Sequence, residues 1–387
     1  MTELERPAHS PLGASGAERW MNCPGSVALL QHIGEDLSDE PDYRREGTAM
    51  HEAAAHALEQ GEGLDAWELV GMEFNGIAMT PELCDPIQTY LDYCRSFQGT
   101  RFVEYPISSQ VHRQFYGTLD FGCIGTTIEI VDLKGGQGVM VEIEDNPQLK
   151  YYAFGLIDGL ERHNGDRFAH DRAVGLTIVQ PRGHHIDGPV RRWQTTVGEI
   201  KEWVHGTLVP AMRATEYDHS LDVGEWCRFC PAKLVCPMLT GLFQAACLAN
   251  AEHVSEMSDE MVGLNFQKAA GVKHYLKALE TEAYNRAMRG RTIPGGKLVH
   301  KRANRVWKEG AAEMFMKRFG DDAMTAPEFK SPAEMEKVPA AKALVKEHAY
   351  TPTSGLTFVL ESHSGQAVKV DPPAERFASV DVSGGDW

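Results

Sequence analysis

The sequence predicts an α/β protein, with a central mixed sheet flanked by helices and a mainly helical C-terminal extension. Three observations carry this. Residues 101–134 contain β-rich segments, RFVEYPISSQVH, GTLDFGCI and TIEIVDLK, separated by glycine or polar turns. The run NPQLKYYAFGLIDGL (146–160) then returns to helix, and RAVGLTIVQP reads as a further strand that Pro181 ends. After about residue 250 the pattern is helical and more charged, as in FQKAAGVKHYLKALETEAYNRAMRG.

In chain order, residues 1–16 read as disordered, and a helix begins near Ser15 and carries Trp20. EGTAMHEAAAHALEQGEG (46–63) is helical by its alanine content, with Gly61 or Gly63 as the stop. Residues 82–98 read as a second helix before the β-rich stretch. Asn146 is placed to cap the next helix, with Pro147 at its first position. VGEIKEWVHGTLVPAMRAT is a helix, and a cysteine-rich segment follows at 226–237. Residues 17–250 thus form the main domain, 251–364 a mainly helical region and 365–387 a loose tail.

The chain of 387 residues exceeds one ordinary domain, and 42% hydrophobic with 24% charged residues is an ordinary globular balance. No apolar run reaches the length of a membrane span. The polar start, MTELERPAHSPLGASG, is no secretory signal, so a soluble cytoplasmic protein with no membrane partner is expected. A formal charge of −17 argues against a surface that coats nucleic acid as a whole. It leaves room for a local basic groove: Arg286, Arg289, Arg291, Lys297, Lys301, Arg302, Arg305 and Lys308 follow one another without an intervening acid.

The stretch GTLDFGCIGTTIEIVDLKGG (117–136) places Asp120, Asp132 and Lys134 on an otherwise apolar hairpin. Charges are costly to bury unless they are paired or hold a metal. Alternation along the strand puts Asp132 and Lys134 on one face, and a short turn around Gly125 can bring Asp120 beside Asp132. Adjacent carboxylates suit a hard cation such as Mg²⁺ or Mn²⁺, with the lysine orienting a water or meeting developing phosphorane charge. A surface salt bridge is the plain alternative for a D-x-K triplet. Gln148 and Tyr152 share a helical face and could hold a phosphate or a base edge, although Tyr152 alone could be a core aromatic. His51, four residues after Gly47, could equally be a histidine satisfied beside a core.

Cys227-x2-Cys230-x5-Cys236 is a dense set of ligands that lacks a fourth thiol. Cys247 is near in sequence but in a helical setting; Cys23, followed by proline like Cys230 and Cys236, could close the site from far upstream. Zinc and a [4Fe–4S] cluster are both chemically open. Cys84, Cys94 and Cys123 read as core residues.

Taken in order, Cys23, Gly47-x3-His51, Gly117-Thr-Leu-Asp120, Asp132-x-Lys134, Gln148-x3-Tyr152 and the late cysteines resemble the RecB-like branch of the PD-(D/E)XK nucleases over about residues 20–240. Similar arrangements occur in CRISPR adaptation nucleases and AddB-type nuclease domains. The C-terminal segment GGKLVHKRANRVWK is more loosely similar to phage and prophage proteins of this class. The resemblance implies a restriction-endonuclease-like core and a metal-dependent DNA nuclease, an exonuclease at DNA ends in phage recombination or replication. The other class it allows is a non-catalytic DNA-binding or scaffold protein.

By the same resemblance, Asp120, Asp132 and Lys134 are catalytic. His51, Asp120, Asp132 and the Leu133 carbonyl hold Mg²⁺ or Mn²⁺. Gln148 and Tyr152 position DNA, helped by Lys301, Arg302 and Arg305. Cys23, Cys227, Cys230 and Cys236 hold a [4Fe–4S] cluster, with zinc as the alternative. Partners would be DNA, a recombination or replication protein, and other copies of the chain in an oligomer, in the host cytoplasm if phage-encoded. Asp132 stands where many members of the branch have Glu. Glu104, in FVEYPIS, is a further acid near the site. Arg182, Arg191 and Arg192 could extend a DNA path, and His184 and His185 read as solvated residues of a turn.

Overall fold

A computed structural model describes residues 9–34, 42–61, 63–136, 139–165, 167–183, 185–248 and 257–296. Lys301, Arg302, Arg305, His184, the C-terminal region from 297 to 364 and the tail 365–387 lie outside the described residues. By its internal contacts the chain divides into residues 1–282 and 283–387.

The expected α/β architecture is present as a five-stranded mixed sheet between two helical layers. Strands β3 (Thr100–Ser108), β4 (Tyr116–Ile124), β5 (Ile128–Leu133), β6 (Ala173–Val179) and β7 (Val190–Thr196) lie side by side in chain order. All neighbours are antiparallel except β5 and β6, which are parallel and joined through helix α5 (Pro147–Asn164). A separate short hairpin, β1 (Glu73–Phe74) and β2 (Ile77–Ala78), precedes the sheet.

Helices α1 (Ala17–Asn22) and α5 lie on one face with α6 (Val197–Trp203) and α7 (Val209–Ala214), against Leu119, Ile128, Ile130, Val174, Leu176 and Ile178, and α2 (Gly25–Ile33) adds Val27 to the same core. Helices α3 (Asp42–Glu59) and α4 (Pro81–Arg95) share a second core with Phe121, Cys123, Val131, Leu133 and Val179. Cys84, Cys94 and Cys123 are buried there as expected.

Local chemistry sets the helix ends. Asn146 caps α5, its side chain accepting the Leu149 N–H at 3.1 Å, and Pro147 takes the first helical position. Gly61 follows α3 with φ of 98°, a conformation that glycine adopts without strain. Pro210 has no N–H to donate, and the wide turn Val204–Leu208 joins α6 and α7 just before it. Residues 9–16, disordered by composition, pack against the sheet: Leu12 and Ala14 are buried and Trp20 Nε1 donates to the Gly13 carbonyl at 3.1 Å.

Two sequence readings change here. Strand β7 has no separate signal in PVRRWQTT, because its arginines are held inside the fold. Arg191 is buried and donates to Val141 O and Gln180 Oε1, both at 2.7 Å, and Arg192 clasps the buried Glu129. Their charges tie the sheet together. Arg182 pairs with Glu46 of α3. His185 is not freely solvated: its Nδ1 accepts the Asp187 N–H at 3.1 Å.

Helix α5 lies close to the sheet because glycines meet it on both sides. A Cβ added at Gly155 would come within 2.5 Å of Ile107 Cδ1, and one at Gly122 within 2.8 Å of Leu156. Gly155→Ala is therefore expected to destabilise the protein by about 1–3 kcal/mol through overpacking, read as a lower midpoint in chemical denaturation.

Among the described residues no helix is long and apolar enough to cross a membrane. Helices α8 (Pro237–Leu248) and α9 (Asp259–Met288) follow the cysteine-rich segment.

Candidate metal centre

The hairpin β4–β5 opens where its acids begin. Pairing runs from Ile124↔Ile128 to Phe121↔Val131 and stops. The next facing pair in that register would be Asp120 and Asp132. The Leu133 N–H instead goes to Asp120 Oδ2 at 3.1 Å. One carboxylate thus occupies the gap that the missing pair leaves.

The same position is irregular on its other side. Val103 pairs with Phe121 and Tyr105 with Leu119, but the facing pair Glu104 and Asp120 makes no ladder pairing. Glu104 has φ of 42°, uncommon for a residue with a Cβ. Alternate residues of a regular strand share a face. Here Leu119 packs in the α5 core while Phe121 packs in the α3–α4 core, and Tyr105 and Val103 divide in the same way. Both strands therefore change face at Glu104 and Asp120.

Helix α3 supplies the imidazole. His51 Nδ1 stands 3.3 Å from Asp120 Oδ2. Burial alone would lower the His51 pKa; the Asp120 charge outweighs it and raises the value to about 9. Burial likewise pushes Asp120 up, and His51, Lys134 and the Leu133 N–H more than reverse this, so it stays ionised.

Asp132, 2% exposed, is held from both sides. Gln148 Nε2 donates to its Oδ1 at 2.9 Å, and the Lys134 ammonium stands 2.8 Å from Oδ2. That Oδ2 contact is a close, charge-assisted pair with the ammonium. Burial, only partly offset by Lys134, raises the Asp132 pKa, and the Asp120 charge adds to the rise. Lys134 Nζ also donates to Gln148 Oε1 at 3.0 Å, and Gln148 Nε2 lies 3.3 Å from the Tyr152 hydroxyl. Tyr152 is both a buried core aromatic and a support for Gln148.

Among the described residues one group of three or more ligand side chains has all its donor atoms within 4.8 Å: His51, Glu104 and Asp120. Glu104 is the residue that sequence reasoning placed only loosely. Its signal was an acid within an apolar strand, and the φ reversal that aims it is invisible in sequence. Burial and the Asp120 charge raise its pKa to about 7, against the opposing pull of His51. A cleft of about 470 Å³ opens beside this group, lined by α3 residues together with Phe74 and Glu104.

Cys23, Cys227, Cys230 and Cys236 are all buried and unpaired. Cys23 follows α1; Cys227 ends the short turn Glu225–Cys227, Cys230 immediately precedes the turn Pro231–Leu234, and Cys236 stands just before α8. Burial pushes the Cys227 thiol up to about 11, and Cys230, Cys23 and Cys236 each add to the rise. The four thiols thus lie in one electrostatic neighbourhood. Arg19 carries its guanidinium there, since its pKa, lowered by burial, is drawn back up by Cys230 and Cys23. The Asp222 N–H points at Cys23 Sγ, 3.4 Å away. The Cys247 side chain is not among those described.

Residues 9–365 match the model of a family described as a protein of unknown function, DUF2800. The chain belongs to the DUF2800 family. That match spans the sheet, the acidic centre and all four cysteines of this DUF2800 protein, and its description assigns none of them a role.

The charges of the centre make a pH prediction. His51 has a raised pKa, so its pair with Asp120 stabilises the fold fully below about pH 6.5 and is lost as pH rises through about 9. Glu104 acts in the same direction, since ionising it from about pH 4.5 upward is disfavoured in the folded state. The metal-free DUF2800 chain should therefore lose stability between pH 6 and 9, and His51→Gln should flatten that slope, as measured by urea denaturation across pH.

Proposed function

We propose that the protein is a divalent-metal-dependent deoxyribonuclease, an exonuclease that hydrolyses phosphodiester bonds at DNA ends. The observation that carries this reading is the break between β4 and β5, where Asp120 and the buried Asp132 face each other in register beside Lys134 and no strand pairing joins them. Two facing carboxylates with one lysine and one histidine beside them suit a further cation between them. Imidazole, two carboxylates and a backbone carbonyl form a donor set that suits Mg²⁺ or Mn²⁺.

His51, Asp120, Asp132 and the Leu133 carbonyl would hold the ion. When bound it supplies positive charge to the scissile phosphate and acidifies water. The chain does the rest. Lys134 orients the attacking water and meets the charge that develops on the phosphoryl oxygens. Gln148 fixes Lys134 and Asp132 in one geometry, and Tyr152 braces Gln148 from the core. Water attacks in line and the 3′-oxygen leaves.

Two glycines support a substrate in this space. A Cβ at Gly47, one turn before His51, or at Gly117, three residues before Asp120, would meet nothing within 4 Å. Neither has the positive φ that would demand glycine. Packing among the described residues explains neither of them, whereas the close approach of a nucleic-acid backbone would.

Four buried thiols in one neighbourhood suit a [4Fe–4S] cluster or zinc, and the resemblance favours the cluster. Such a cluster would tie α1 to the segment before α8, and Arg19 would balance part of its negative charge. Cys23→Ala should then lose iron and soluble protein together. Full iron content in that variant, by metal analysis of anaerobically purified protein, would remove Cys23 from the ligand set.

The activity itself is tested with end-labelled single- and double-stranded DNA in Mg²⁺ or Mn²⁺. The parent should degrade an end, and Lys134→Ala and Asp132→Ala should each lower the rate by about 10²–10⁴-fold. If the parent is inert on every substrate yet binds DNA as tightly as the variants, the scaffold reading replaces this one.

A further inference from the structure

A third carboxylate faces the centre from β3 and has no place in the set His51, Asp120, Asp132 and Leu133. We propose that Glu104 is a metal ligand: with His51 and Asp120 it forms a second divalent-cation subsite on the α3 side, so that when both ions are bound His51 serves the second, Asp132 and the Leu133 carbonyl serve the first, and Asp120 is shared between them. The proposal rests on the nuclease reading only for the first cation, at Asp132; the second stands on its own geometry.

Three features carry it. The donor atoms of His51, Glu104 and Asp120 already lie within 4.8 Å of one another, and Asp132 is not part of that group. Ligands at about 2.1 Å from a Mg²⁺-sized ion lie about 3–4 Å apart, so the three need only close slightly on it. Among the described residues the Glu104 carboxylate has no hydrogen bond and no ion pair, although it faces Asp120 across the strands. Two facing acids repel, and a cation between them removes the repulsion. Finally, the adjoining cleft is lined by Glu52, Glu59 and Glu104 with His51 and His56, and by no lysine or arginine. That lining draws cations in and leaves the second subsite open to solvent.

Asp132 is anchored differently, by Gln148 and Lys134 from the opposite side. The two halves of the centre therefore draw on separate elements, α3 and β3 for one, β5 and α5 for the other. A carboxylate shared between them matches the paired-cation arrangement that stabilises both the attacking and the leaving oxygen of an in-line displacement.

The test is Mn²⁺ titration of the full chain, followed by the electron paramagnetic resonance signal of free Mn²⁺, for the parent, Glu104→Gln and Asp132→Asn. The parent should bind two ions. Glu104→Gln should lose one, with at least a tenfold fall in its affinity, and Asp132→Asn should keep that same ion while losing the other. Glu104→Gly is the folding control: at φ of 42° glycine is at ease, so this variant should melt no lower than the parent and still lose the ion. If Glu104→Gln matches the parent in stoichiometry and affinity, the proposal fails. One ion lost in Asp132→Asn alone would sink the second subsite and leave the nuclease reading standing. No Mn²⁺ bound by the parent would end both.

Discussion

The Asp120 carboxylate on the Leu133 N–H is the contact on which the centre turns. A sheet normally spends that amide on the neighbouring strand. Here β4 and β5 part after Phe121↔Val131, and the side chain satisfies the amide in place of a carbonyl. The exchange keeps a buried donor paired, so the strands can separate without an orphaned backbone group. It also fixes one oxygen of Asp120 within reach of His51, and leaves Asp132 and Lys134 projecting at the strand end. Everything else about the centre follows from that gap.

The centre is electrostatically unfinished. Burial raises the pKa of Asp132, holds Glu104 near neutrality and works against the charge on His51. The partial remedies are local: His51 leans on Asp120, Lys134 on Asp132, and Gln148 bridges the second pair. Such an arrangement gives up stability that an apolar packing of the same residues would keep. Proteins tolerate conflicts of this kind at sites with a function, and the strained φ at Glu104 belongs with them.

Much of the frame was legible from local chemistry. Asn146 with Pro147 announced α5, the turn around Gly125 set the hairpin, and counting residues back from it placed Asp120 opposite Asp132. Side-chain alternation put Asp132 beside Lys134, and helical spacing put Gln148 beside Tyr152. What stayed hidden was non-local or lay in the backbone. The change of face at Glu104 and Asp120 leaves no trace in residue pattern, because each strand is regular on either side of it. Arg191 and Arg192 read as surface cations until Gln180, Val141 and Glu129 are seen to hold them. The link from Cys23 to cysteines two hundred residues on could be guessed from the Cys-Pro pairs, but only the fold brings them into one neighbourhood.

The most direct measurement of the central claim is anomalous diffraction from crystals of the protein soaked in Mn²⁺. The account predicts an anomalous peak in the gap between β4 and β5, within ligand distance of both Asp120 and Asp132, with Lys134 displaced from its contact with Asp132 Oδ2. A fully soaked crystal with no peak there, and Lys134 still seated on Asp132, would mean that the acids and lysine are a closed salt-bridge network, and the cation site would be wrong.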